Sequence, residues 1–310
     1  MRIFDPFISH SLKKNFGHRG DGSPGFTYFF ASDYGIRSRF FSFRSGKNTL
    51  RGEEYFDQEK DYKGLVIFFH GLSAGRSSYT GEIAYLAKAG YLVMAYDNTG
   101  CMQSEGKTMI SLSQTALDQK AFFEYLETRE DIRDLPRFAI GHSWGGYGAF
   151  LALQEQYRVQ KAVSVSGFFS FDSLIAEIRP EYAGIQKMLR SYVRRHFGEP
   201  ASENVLDIIK RRNVPVLYIQ GDDDPVVPSA SHIRYLEKHK GDYPSISLYF
   251  AKGRRHQGFW SVNAQRYFTK LFGDFGEKSK GPLALQGVDF HKLTEDDPKI
   301  MKAIIDFLGN

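Results

Sequence analysis

A short glycine-flanked serine sequence constrains the fold of this 310-residue chain more than any other feature. Residues 139–146 read Ala-Ile-Gly-His-Ser-Trp-Gly-Gly, after an apolar run of strand length. Apolar residues then recur at helical spacing as far as Leu153. This pattern predicts a strand, a sharp turn at Ser143 and a helix. A Cβ at position 141 or 145 would clash in so tight a turn, and the strained turn points the serine hydroxyl outward.

A serine hydroxyl needs a base and an orienting acid to become a nucleophile, and later strands supply candidates for both. The buried-strand pattern at 214–221 runs into Asp222, Asp223 and Asp224. A second strand-like run ends near residue 251, and His256 is the only histidine placed directly after it. Because the carboxyl ends of parallel strands meet at one edge of a sheet, these residues are expected to lie close to Ser143.

The order serine, aspartate, histidine, each after a strand, resembles that of the α/β-hydrolase superfamily. The Gly-His-Ser-x-Gly-Gly pattern is similar to that of monoglyceride-lipase-like and serine-aminopeptidase-like hydrolases, and the resemblance runs from about residue 64 to 260. It implies that Ser143 is the nucleophile and His256 the base. It also implies that the acid is the third residue after the glycine that closes a strand, which is Asp224, with Asp222 and Asp223 as alternatives.

The resemblance also implies an oxyanion hole made from two backbone N–H groups, those of Leu72 and Trp144. Leu72 follows the His70-Gly71 pair at the end of an apolar strand, and His70 is predicted to stabilise that loop. Relatives often show Asp-x-x-Gly-x-Gly-x-Ser-x-Gly after the next strand. Residues 97–106 keep this pattern except that Met102 replaces the second glycine, which puts the path of the loop in doubt.

From residue 64 onward, apolar strand runs alternate with helical patterns. This alternation predicts a single α/β domain over residues 1–310, with the α/β-hydrolase fold and a mostly parallel, doubly wound sheet. Two antiparallel entry strands, joined by a turn at 45–48, are predicted before it. The predicted helices span residues 77–89, 112–128, 144–156, 229–240 and 296–308.

Three further segments fall outside this alternation. Residues 168–212 combine aromatic and apolar side chains at helical spacing and resemble the small helical cap that hydrolases insert at this point. Such a cap would line an acyl-binding pocket above Ser143. Residues 1 to about 25 are predicted to form an irregular arm, and residues 273–290 receive no structural prediction.

Composition excludes several other classes of protein. The formal net charge is only +5, and no dense basic patch interleaved with aromatic residues indicates nucleic-acid binding. The single cysteine, Cys101, cannot form an internal disulfide, and it is interpreted as a structural thiol because no motif activates it. No uncharged apolar stretch reaches the roughly 20 residues needed to cross a bilayer. A cytoplasmic protein without stable membrane insertion, metal site or cofactor is therefore expected, and its oligomeric state stays open.

The resulting functional hypothesis is a serine hydrolase that cleaves small carboxylic esters, like a carboxylesterase or lipase, through an acyl-enzyme intermediate. A serine aminopeptidase, another peptidase or an amidase on the same three residues is the alternative. Such a peptidase would need carboxylates to bind the amino terminus of its substrate, and Glu177 and Glu181 are candidates. A binding protein that has lost its chemistry is disfavoured because serine, histidine and aspartate are all present.

Overall fold

The computed structural model describes residues 4–22, 28–273 and 287–310. Its strands are β1 Arg37–Ser45, β2 Asn48–Phe56, β3 Leu65–Phe69, β4 Leu92–Tyr96, β5 Arg137–His142, β6 Val159–Val165, β7 Val216–Gly221 and β8 Ile246–Ala251. Its helices are α1 Asp5–Phe16, α2 Thr80–Lys88, α3 Gln114–Glu127, α4 Trp144–Leu151, α5 Phe171–Ile178, α6 Gln186–Phe197, α7 Glu199–Ser202, α8 Val205–Arg212, α9 Ile233–Lys238, α10 Val262–Phe272, α11 Phe290–Leu293 and α12 Pro298–Gly309.

The strands join into one sheet with the order β1-β2-β4-β3-β5-β6-β7-β8. Strands β3 to β8 are parallel to one another, while β2 pairs antiparallel with both β1 and β4. The predicted antiparallel entry and the mostly parallel, doubly wound sheet are therefore confirmed. The carboxyl ends of β3, β5, β7 and β8 lie on the same edge of the sheet, and each is followed by one of the predicted site segments.

The central strands are apolar on both faces because helices cover both. In β3, Leu65, Ile67 and Phe69 belong to one buried cluster, while Val66 and Phe68 belong to another. The first cluster also contains side chains of α1, α3, α4, α8 and α9, and the second contains side chains of α2, α10 and α12. Burial on both faces explains why these strands read as continuous hydrophobic runs rather than alternating ones.

The first helix corrects the prediction of an irregular arm over residues 1–25. Pro6 lies in the first turn of α1, Asp5 begins it, and Lys13 and Lys14 lie in its last turn, all of which favour a helix. Ile8, Leu12 and Phe16 recur every four residues and are buried. The glycines that suggested an arm lie after this helix. Residues 1–3 and 23–27 of the predicted arm lie outside the described residues.

The later helices differ from the prediction mainly in their ends. Helices α2, α3 and α12 match their predicted spans closely, whereas the predicted helix 144–156 ends at Leu151 and 229–240 is reduced to α9. Helix α10 was not predicted; Ser261 caps its start by accepting a hydrogen bond from the Ala264 N–H.

Most of the segment without a prediction, residues 274–286, lies outside the described residues. Within the ranges that are described, no helix is long and apolar enough to cross a membrane.

Two buried carboxyl groups interact beneath α2, close to the chain that follows His256. Glu82 lies in α2, and Asp296 pairs through its backbone with Trp260. Burial raises the pKa of Glu82 to about 8. Burial, and then the charge of Glu82, raise the pKa of Asp296 well above its ordinary value. The pair therefore holds a proton at neutral pH.

We expect this pair to make the protein less stable as the pH rises from about 5 to about 8. In that range folded Glu82 keeps a proton that it releases near pH 4.5 in the unfolded chain, so its contribution to the free energy of unfolding falls by at most about 1.4 kcal/mol per pH unit. Replacing Glu82 by glutamine keeps a side-chain oxygen that can accept from the Asp296 carboxyl group and removes the titration of Glu82. Calorimetric Tm values between pH 5 and 8.5 should fall more steeply for the wild type than for Glu82→Gln, and equal slopes would contradict the account.

Candidate active site

The predicted strand, turn and helix around Ser143 are all present. Ser143 follows β5 and precedes α4, with φ 57° and ψ −116°, a left-handed backbone conformation that side chains rarely adopt. A Cβ on Gly141 would lie 2.1 Å from the carbonyl oxygen of Gly145. A Cβ on Gly145 would lie 1.9 Å from the carbonyl oxygen of Phe69. Glycine is therefore required on both sides, as the sequence indicated.

The structure brings Ser143, His256 and Asp224 together. The Ser143 Oγ lies 2.9 Å from His256 Nε2, and His256 Nδ1 lies 2.9 Å from each carboxylate oxygen of Asp224. Both His256 and Asp224 are buried, whereas Ser143 is partly exposed. Asp222 and Asp223 are exposed, and Asp222 accepts a hydrogen bond from the Gly253 N–H instead. This arrangement can pass a proton from the serine hydroxyl to the imidazole.

The surroundings of Asp224 keep it ionised. Burial alone would raise its pKa, but the attraction and the hydrogen bond of His256 act in the opposite direction, and so do the N–H groups of Val226 and Val227. These N–H groups lie 2.9 and 3.0 Å from Asp224 Oδ1. The pKa of Asp224 is consequently held below its ordinary value, which leaves a carboxylate to accept the His256 Nδ1–H.

His70 fixes the peptide that carries the Leu72 N–H. Its Nε2 accepts from the Asn98 N–H at 3.0 Å, so its proton is on Nδ1, which donates to the Gly71 carbonyl at 2.8 Å. In a trans peptide the N–H points opposite to the C=O, so this bond sets the direction of the Leu72 N–H. Burial lowers the pKa of His70 and keeps its ring neutral. The predicted loop-stabilising role of His70 thus has a specific structural basis.

The turn that carries the Trp144 N–H contacts this loop. Trp144 is the first residue of α4, and the first N–H groups of a helix have no acceptor inside it. Its indole N–H donates to the Leu112 carbonyl at 2.7 Å, which holds the side chain away from the turn. A Cβ on Gly71 would lie 3.4 Å from the carbonyl oxygen of His142, so the loop and the turn are in contact. Leu72 and Trp144 therefore come from adjacent segments.

The loop after β4 keeps its tight turn although Met102 replaces a glycine. Met102 adopts a φ of 45°, in the left-handed region that favours glycine. Arg19, which follows α1, donates to the carbonyls of Met102 at 2.6 Å and of Ser104 at 3.1 Å, and also to that of Gly106. Cys101 is buried here, and burial raises the pKa of its thiol, so it is not an activated nucleophile. No sequence pattern predicted that Arg19 would hold this loop.

Helices α5 to α8 lie between β6 and β7, within the predicted cap segment 168–212, and they are attached to the site. The Tyr147 hydroxyl on α4 donates to the Ala201 carbonyl on α7 at 3.1 Å. Glu177 on α5 accepts from the Ser231 hydroxyl at 2.9 Å, just beyond the loop of Asp224. These bonds connect the inserted helices to both the serine helix and the aspartate loop.

An apolar cavity of about 260 Å³ lies between α1, α5 and α6. Phe171, Ile175 and Leu189 from the inserted helices line it on one side and α1 lines it on the other. Ser143 is not among its lining residues, so the predicted acyl pocket directly above Ser143 stays a prediction.

Groups of three or more histidine, cysteine or acidic side chains that could hold a metal ion do not occur in the described part of the chain.

Sequence reasoning missed two side chains at the site. Tyr79 carries no recognisable sequence signal, and His142 does not follow a strand end in a position that matches that of His256. Both are buried, and both hydrogen-bond to segments that carry the predicted site residues. The available signal for His142 was its position as the last residue of β5, directly before Ser143.

Comparison with known proteins agrees with this architecture. Residues 60–200 match the family described as serine aminopeptidase, S33. That segment contains Leu72, Ser143 and Trp144 and ends before Asp224 and His256. The monoglyceride lipase of Rattus norvegicus is 30% identical over 128 residues, which cover 41% of this chain and only 40% of that lipase.

Solved structures extend the similarity to nearly the whole chain. An esterase from Pyrococcus furiosus superposes with a TM-score of 0.62 over 94% of this chain and 98% of its own, at 21% identity. A puromycin-hydrolysing peptidase from Mycobacterium tuberculosis gives a TM-score of 0.53 over 72% of this chain and 36% of its own, at 20% identity. At such identities these structures establish the fold. The sheet order, the serine turn and these superpositions together show that the chain has the α/β-hydrolase fold.

Proposed function

We propose that this protein hydrolyses carboxylic esters of small molecules, with Ser143 as nucleophile, His256 as general base and Asp224 as the orienting acid. The observation that supports this most strongly is the pair of 2.9 Å contacts that join the serine to the imidazole and the imidazole to the carboxylate. A strained serine turn, a base within hydrogen-bond reach and a buried acid behind it are the parts that acyl transfer requires.

In the proposed reaction, His256 Nε2 takes the Ser143 proton while Oγ attacks the ester carbonyl carbon. The oxygen of the tetrahedral intermediate accepts hydrogen bonds from the Leu72 and Trp144 N–H groups. The protonated imidazole then gives its proton to the leaving alcohol, and an acyl-serine remains. Water activated by the same imidazole hydrolyses this acyl-serine, so that a carboxylic acid is released and Ser143 is restored. Asp224 holds the Nδ1–H tautomer and stabilises the imidazolium throughout.

We favour esters over amides because the two candidate carboxylates for an amino-terminal substrate group are already engaged. Glu177 is partly buried, accepts from Ser231, and has a pKa raised by burial. Glu181 is exposed and pairs with Arg179 at 2.6 Å. The named relatives include both a lipase and a peptidase, so similarity alone does not decide between these substrates.

We further propose that helices α5 to α8 act as a cap that governs access to Ser143. Their attachment to the serine helix through Tyr147 and to the aspartate side through Glu177 supports this role. The apolar side chains of α5 and α6 are suited to hold an acyl chain once it reaches the site.

Replacing Asp224 by asparagine is expected to lower kcat about ten-thousandfold. An amide can donate to His256 and so favours the tautomer that cannot accept the serine proton. The measurement is kcat at neutral pH, compared with Asp223→Asn, which changes a neighbouring exposed aspartate. An Asp224→Asn enzyme with the activity of the Asp223→Asn control would remove Asp224 from the mechanism.

The proposed substrate class is tested with p-nitrophenyl esters of increasing acyl length and with aminoacyl anilides. The proposal predicts that the esters are turned over with a kcat/KM well above that of any anilide. Higher kcat/KM for the anilides would favour the peptidase alternative. Ser143→Ala serves as the background control in both series because spontaneous ester hydrolysis and non-specific reactions persist in it.

A further inference from the structure

A chain of hydrogen bonds connects the three segments that surround Ser143. The Gly71 N–H donates to the Tyr79 hydroxyl oxygen at 3.0 Å, and the Tyr79 hydroxyl lies 2.9 Å from His142 Nδ1. His142 Nε2 lies 2.9 Å from the backbone carbonyl oxygen of His256. The bonds therefore begin one residue before Leu72, pass the residue before Ser143, and end on the backbone of His256.

The chemistry of these groups fixes the direction of every bond. A backbone carbonyl only accepts, so His142 Nε2 must carry the proton and Nδ1 must accept. The single hydroxyl proton of Tyr79 then goes to Nδ1, and its oxygen is left to accept from Gly71. All three bonds run in one direction, an arrangement in which each bond polarises the next.

The environment keeps His142 in this neutral form. Burial, and then repulsion from His256, lower the pKa of His142 to about 3. The rings of His142 and His256 lie 5.0 Å apart between centroids. A neutral His142 therefore adds no second positive charge beside the imidazolium that forms on His256 during the proposed reaction.

We infer that Tyr79 and His142 are positioning residues that hold the Leu72 loop and the His256 loop in register with Ser143. This inference rests on the proposed ester hydrolysis, and it adds two residues that do not touch the reacting atoms. The Tyr79 hydroxyl anchors Gly71, the partner of Leu72 in the peptide that supplies one oxyanion donor. His142 anchors the His256 backbone, so that the imidazole meets the serine at hydrogen-bond distance.

The decisive variants each interrupt this chain of hydrogen bonds and keep the packing. Tyr79→Phe deletes only the hydroxyl, and the ring stays available for its contact with Phe68, 5.2 Å away. His142→Gln can still donate to the His256 carbonyl while it alters the link to Tyr79. Tyr125→Phe is the matched control, because Tyr125 lies on α3, away from the site, and its hydroxyl accepts a hydrogen bond from Arg129. The double variant Tyr79→Phe/His142→Gln completes the cycle.

Activity is measured as kcat per site titrated with a fluorophosphonate, so that misfolded protein does not count. We expect Tyr79→Phe to lower kcat about tenfold or more, because small displacements of reacting groups are costly, while KM stays within about twofold. Inhibition by an aryl boronic acid, whose serine adduct is tetrahedral, should weaken by a similar factor. The double variant should lose no more than the worse single variant, since both break one chain.

A merely structural role predicts a different result. It would lower Tm and the titrated fraction of active sites but leave kcat per site and boronate affinity at the level of Tyr125→Phe, and that outcome would overturn the inference. If the wild type neither labels nor turns over esters, the proposed function fails instead. The inference is then judged by NMR: Tyr79→Phe must shift the Leu72 amide and the His256 ring signals, and unchanged signals would refute it.

Discussion

Ser143→Ala is expected to lower ester turnover roughly a millionfold while leaving the protein folded. The substitution removes the only atom that the account assigns to attack on the substrate carbonyl. The Ser143 Oγ lies 2.9 Å from His256 Nε2. At a φ of 57° alanine has the same backbone strain as serine, so the substitution is expected to leave the fold intact. Turnover is measured with a p-nitrophenyl ester, and folding is followed by circular dichroism and Tm.

Ser247→Ala is the matched control for this experiment, since Ser247 is exposed on β8 and lies outside the site. It should retain wild-type activity. Ester turnover by Ser143→Ala at a rate near that of this control would show that the serine is not the nucleophile. Loss of turnover in both variants would point to a shared defect in folding, which the Tm values would reveal.

His256→Ala is expected to lower turnover about as much as the serine substitution. Without the imidazole the serine proton has no acceptor, and the leaving alcohol has no donor. Because the two residues act as one unit, the double variant Ser143→Ala/His256→Ala should be no slower than either single variant. The measurement is kcat for all three proteins with the same ester.

The control for the histidine is His10→Ala, which changes an exposed histidine on α1. If the fold-reduction in kcat of the double variant equalled the product of the two single reductions, Ser143 and His256 would act independently. That result would contradict the proposed proton transfer between them, even if each single variant were inactive.

Much of the fold could be predicted because the central strands have a strong local signal. Strands such as β3 and β5 are buried on both faces and so read as uninterrupted apolar runs. Helix α1 was missed although Pro6 and the buried Ile8, Leu12 and Phe16 favoured it, because the glycines that follow gave a loop signal over the same segment. The ends of α4 and α9 depend on tertiary contacts that a local pattern does not contain.

Among the site residues, too, some could be predicted from a local sequence pattern and others could not. Ser143, Asp224 and His256 each follow a strand in a recognisable pattern, and the structure brings their side chains together. Arg19 and Tyr79 carry no local signal, because their roles arise from contacts with loops distant in sequence. The cytoplasmic location and the acyl pocket above Ser143 stay predictions.

The central claim, that Ser143 is an activated nucleophile, is tested most directly by labelling the purified protein with a fluorophosphonate and mapping the modified peptide by mass spectrometry. We expect one phosphonylated residue, Ser143, and we expect labelling to be lost in His256→Ala because the imidazole no longer removes the serine proton. Well-folded wild-type protein that is not labelled at Ser143, or equal labelling in His256→Ala, would contradict it.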